Sequence, residues 1–69
     1  MASYILTNKS SGLVYRKLKT LQQVKDYIES RFKAEFETTN YYWFMNMKIT
    51  SKSRVRINGS TTVIIGRAQ

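Results

Sequence analysis

The sequence predicts an α+β fold of order ββαβββ, an antiparallel sheet with one amphipathic helix packed on one face. Three observations lead there. Apolar side chains recur at helical spacing over residues 20–36, and the flanking sequence falls into short runs rich in Tyr, Ile, Leu and Val. Between two of those runs stands Asn58-Gly59, a strong hairpin signal.

Taken in order, residues 3–7 and 13–17 read as strands around Asn8-Lys9-Ser10-Ser11-Gly12, a hairpin with a five-residue loop. Alternation along the second strand places Arg16 and Lys17 on opposite faces. Over residues 20–36, Leu21, Val24, Ile28, Phe32 and Phe36 form one apolar stripe, with Gln22, Lys25, Asp26, Glu29, Ser30 and Lys33 on the other side. Thr20 and Gln23 have the spacing of a capping box. Thr38, Thr39 and Asn40 are poor helix formers and are expected to end this helix. Lys25 with Glu29, Glu29 with Lys33 and Lys33 with Glu37 are spaced as surface ion pairs.

Residues 41–49 read as a third strand. Alternation sets Tyr41, Trp43, Met45, Met47 and Ile49 on an inward face, and Tyr42, Phe44, Asn46, Lys48 and Thr50 on the opposite one. Residues 54–57 and 61–65 follow as the last two strands. With 51–53 as the preceding loop, Ile49 opposes Val55 and Met47 opposes Ile57, because a slip of one residue would set Ile49 against Arg54. Lys48 then faces Arg56 on the uncovered side, with Thr50 beside Arg54. For the final strand, a three-residue loop with a bulge at Gly59 turns Thr61, Val63 and Ile65 inward. Burial favours it over the two-residue turn, which would bury Thr62 and Ile64.

Charge is distributed unevenly along the chain. All acidic residues lie between Asp26 and Glu37, while both flanks carry only Lys and Arg, for a net charge of +8. Such flanks suit a polyanion. With no His and no Cys, the usual zinc sites and the His- or Cys-based acid, base and nucleophile arrangements are excluded. Asp26 and Glu29 face outward from one helix, and no carboxylate from another element completes a catalytic or two-metal pair. No phosphate-binding or dinucleotide glycine motif occurs. The expectation is therefore a non-enzymatic protein with no cofactor and no metal.

Residues 1–69 read as a single domain and a complete small gene product, with no linker or repeat. The N-terminus lacks a signal-peptide pattern, no run suits a membrane span, and the absence of cysteine fits a cytoplasmic setting. No diagnostic motif of a nucleic-acid-binding family is spelled out: the single helix excludes a helix-turn-helix, and 41–49 does not match the ribonucleoprotein aromatic motif.

The expected function is nucleic-acid binding, to DNA or RNA, on the uncovered face of the sheet. Lys48, Lys52, Arg54 and Arg56 would contact phosphates while Tyr42 and Phe44 stack on bases. The same features fit a second class, a small phage-type or mobile-element interaction protein that binds a larger protein through an acidic patch or a strand edge. A homo-oligomer such as a homodimer, burying Tyr42, Phe44, Val63 and Ile65 between subunits, is a variant of that class.

Overall fold

Two β-hairpins, one toward each end of the chain, join in one sheet, and the two helices that connect them lie across one of its faces. The computed structural model describes residues 3–68; Met1, Ala2 and Gln69, counted in the expected domain, lie outside them. In chain order the elements are β1 (Ser3–Asn8), β2 (Val14–Leu18), α1 (Leu21–Phe32), α2 (Thr38–Asn46), β3 (Arg54–Asn58) and β4 (Thr61–Ala68). The sheet is antiparallel in the order β2-β1-β4-β3. The class is α+β as expected. The order is ββααββ, which corrects the ββαβββ expectation by one helix gained and one strand lost. No helix among the described residues is long and apolar enough to cross a membrane.

The first hairpin follows its turn residues. Asn8 Oδ1 accepts from Ser10 N at 2.8 Å and Ser11 N at 3.0 Å, and Gly12 reverses the chain with a φ of 74° that suits a residue without Cβ. Thr20 then caps α1 as its spacing to Gln23 predicts. Thr20 Oγ1 accepts from Gln23 N at 3.1 Å, while Gln23 Oε1 reaches back to accept from Lys19 N at 3.0 Å. Val24, Ile28 and Phe32 are buried, and Leu21 and Phe36 pack at the edge of the core. The helix ends at Phe32, earlier than the apolar stripe suggests, because Glu35 N and Phe36 N both donate to Phe32 O and tighten the last turn. Phe36 still reaches the core, its ring stacked on Phe44 at 5.2 Å and edge-on to Tyr41 at 5.4 Å.

The region expected to be the third strand is helical over Thr38–Asn46. The stretch from Tyr41 to Met45 is apolar at every position, so it satisfies a period of two and a period of 3.6 equally. Its two ends decide. Thr38, Thr39 and Asn40 do not close α1; they form the first turn of α2 behind Glu37, whose charge favours a helix N-terminus. At the other end, Asn46 Nδ2 donates to Tyr42 O at 2.9 Å, and Lys25 Nζ donates to Met45 O and Met47 O at 3.3 and 3.4 Å. Met45 O belongs to the last turn, whose carbonyls a helix end leaves free, and Met47 O to the C-cap that follows it. The sidedness inverts accordingly: Phe44, expected outside, is buried, while Trp43 and Met45, expected inside, are exposed.

β3 and β4 behave as expected in sidedness. Val55, Ile57, Val63 and Ile65 are buried, with Val55 paired to Val63. Asn58 pairs with Thr61 across Gly59-Ser60, and the register shifts at Ile57, so the bulge expected at Gly59 sits two residues earlier. There Ile57 O accepts from Glu37 N at 3.0 Å and from Asn40 Nδ2 at 3.3 Å, tying the start of α2 to β3. The core joins Leu6, Val63 and Ile65 from the central strands to Val24, Ile28 and Phe32 of α1 and Phe44 of α2.

Candidate nucleic-acid interface

Alternation along each strand determines what the uncovered face of the sheet carries. Ile5 and Thr7 of β1 and Thr62, Ile64 and Gly66 of β4 lie opposite to the buried side chains and form a small, β-branched centre. Lys17 lies beyond Ile5 on the β2 side; Arg54 and Arg56 lie beyond Ile64 and Thr62 on the β3 side. Arg16 is on the other face from Lys17, as predicted, with its guanidinium 5.7 Å from the Tyr27 ring. No strand contains an acidic residue. Asp26 and Glu29 belong to α1, and Glu35 and Glu37 to the connection between the helices. Charge segregation along the sequence thus becomes segregation by layer, with the acids in the helical layer and an acid-free sheet beneath it.

The helical layer also consumes cations. Arg31 and Glu35, at 3.3 Å, form the only ion pair among the described residues, and none of the three expected pairs is formed. Lys25 is held by the end of α2 instead. Glu29 accepts a hydrogen bond from the Tyr41 hydroxyl at 3.0 Å, and this bond, with smaller contributions from desolvation and from the Glu29 charge, raises the Tyr41 pKa above its ordinary value. Arg54 and Arg56 make no such contact with any described residue, so both guanidinium groups are available to a ligand.

Both arginines border a groove of about 310 Å³ between β3 and α2. Trp43 lines it from α2 and Met47 from just beyond the helix end, Asn40 stands near the start of α2, and the buried Phe44 and Val55 also line it. Trp43 is 67% exposed, against 1% for Phe44 next to it.

Of the six residues assigned to the site from sequence, Arg54 and Arg56 are brought together on β3. Tyr42 is exposed, but on α2, which lies across the covered face of the sheet, and not on the uncovered face where it was expected. Phe44 is a correction: buried in the core, it offers no face to a base, because the helical period turns it toward the sheet. Its burial, with that of Val63 and Ile65, also removes the subunit interface that those residues were expected to form. Lys48 does not face Arg56. It follows α2 in the chain, and Thr62 occupies the position opposite Arg56. Lys52 is exposed in the turn where Ser53 N donates to Thr50 O at 3.2 Å, so Thr50 is part of that turn and does not pair with Arg54. Sequence reasoning missed Trp43 by placing it in the core. No signal in the sequence could have found it: Trp43 is three residues after Asn40 and four before Met47, and the run from Tyr41 to Met45 is apolar throughout. The chain matches no protein-family model, no curated protein and no solved structure at a significant level.

Proposed function

We propose that this protein binds nucleic acid, with Arg54 and Arg56 contacting phosphates and Lys17, Lys48 and Lys52 adding to the positive surface. The observation that carries the reading is the separation of charge by layer: no acid lies in any strand, and the two β3 arginines have no partner among the described residues. A phosphate backbone approaching the sheet from its open side or from the β3 edge meets cations without having to displace a carboxylate. Release of counterions from the nucleic acid would drive the association and make it salt-dependent. Tyr42 offers an exposed ring on α2. The role is one of binding without catalysis or a cofactor, consistent with a chain that lacks histidine and cysteine and with a cytoplasmic setting.

The test is fluorescence anisotropy of labelled single-stranded DNA, duplex DNA and RNA at about 50 and 200 mM salt, a range over which phosphate-driven binding falls steeply. Arg54→Ala and Arg56→Ala should each weaken binding to every sequence and lower the salt slope by ~1. Background binding by the unaltered protein would count against the proposal. A second reading, capture of an acidic segment of a larger protein, is favoured by one feature: β3 is an edge strand flanked by an apolar groove. In that case the arginine substitutions leave nucleic-acid binding at background and abolish capture of the partner.

A further inference from the structure

We infer that the groove between α2 and β3 is a base-binding site, in which an unpaired nucleobase stacks on the Trp43 indole and its flanking phosphates rest on Arg54 and Arg56. The inference rests on the nucleic-acid role proposed above and narrows its ligand to single strands.

Trp43 is the single tryptophan of the chain, and α2 holds it at the surface while burying its neighbour. Packing does not account for that placement, since the core is completed by Phe44 and Phe36. An exposed indole in an apolar groove is a stacking platform for any planar ring. The groove's volume of about 310 Å³ is at the small end of ligand sites, the size class that suits a single ring system. Arg54 and Arg56 of the edge strand border it and no acidic residue does, so the charge at its rim selects an anion. An acidic peptide supplies carboxylates for the arginines but no regular planar group for the indole. A strand of nucleic acid supplies both at every residue. A duplex keeps its bases inside the stack, and presents them to such a groove only after flipping one out.

The groove is also set in advance. At one end of α2, Glu37 N and Asn40 Nδ2 share Ile57 O; at the other, Lys25 Nζ binds Met45 O and Met47 O. The helix that carries Trp43 is thereby fixed to the edge of the sheet at its start and to α1 at its finish, and binding requires little further ordering.

The experiment titrates Trp43 emission with an oligothymidylate, with an abasic oligonucleotide of equal length and phosphate count, and with polyglutamate. The oligothymidylate should quench the emission, and the abasic strand should bind about 5- to 150-fold more weakly, the size of one stacking contact. By anisotropy of a labelled strand, Trp43→Ala should reduce oligothymidylate binding to the abasic level, while Trp43→Phe keeps part of the difference. Equal affinity for the two strands with unquenched emission overturns the base site and leaves the phosphate-driven function standing. No binding to either oligonucleotide overturns both. Polyglutamate quenching as strong as that by the oligothymidylate overturns the base site in favour of an acidic peptide ligand.

Discussion

Trp43 and Phe44 are adjacent aromatic residues in opposite environments, and that contrast sets how each should respond to substitution. Phe44 contacts Phe36 at 5.2 Å and is 1% exposed, so Phe44→Ala should destabilise the protein by about 3–5 kcal/mol. Trp43→Ala should change stability by no more than about 0.5 kcal/mol, because the side chain is 67% exposed. Urea denaturation of the two variants measures both values. A strand through these residues would reverse the order, with the tryptophan substitution the severe one. At this scale the arginines were legible from sequence because β3 alternates cleanly between Arg54, Arg56 and Val55, Ile57. The aromatic run was not legible, because five consecutive apolar residues carry no period.

At the scale of elements, α1 and the second hairpin were readable for the same reason: polar residues mark the solvent side of each. Val24, Ile28 and Phe32 are separated mostly by charged side chains, and Asn58-Gly59 marks the turn. α2 lacks both markers, and its ends are stabilised by groups from other elements, Ile57 O at one end and Lys25 at the other. Nothing within residues 38–46 states that such partners exist. It follows that α2 should depend on Lys25 more than an exposed lysine would suggest. Lys25→Met keeps most of the aliphatic stem but removes the donor to Met45 O and Met47 O and the ammonium 5.9 Å from the Phe44 ring. The expected loss is about 0.5–1.5 kcal/mol, by the usual worth of such hydrogen bonds, together with faster amide exchange in the last turn of α2. A Lys33→Met control, lacking those contacts, should change neither.

For the molecule as a whole, a net charge of +8 on 69 residues means that unpaired cations repel one another. Raising ionic strength from about 0.01 to 0.15 M shortens the screening length from about 30 to 8 Å, so Tm should rise with salt. Nucleic-acid affinity should fall over the same range. Calorimetry and anisotropy in matched buffers test the pair, and a Tm that falls with salt would mean that attractive surface pairs outweigh the repulsion. The sheet order has a different kind of consequence. β1 and β4 pair at its centre, from Ser3 with Ala68 to Asn8 with Val63, although they are the first and last strands of the chain. On the ribosome, the β1–β2 hairpin and both helices emerge before β1 has its central partner, leaving Leu6, Val24 and Ile28 without the β4 side chains that complete their burial. The fold is completed only once β4 has emerged, and a chain interrupted before β4 retains the β1–β2 hairpin and an unpaired β3 in place of a shortened sheet.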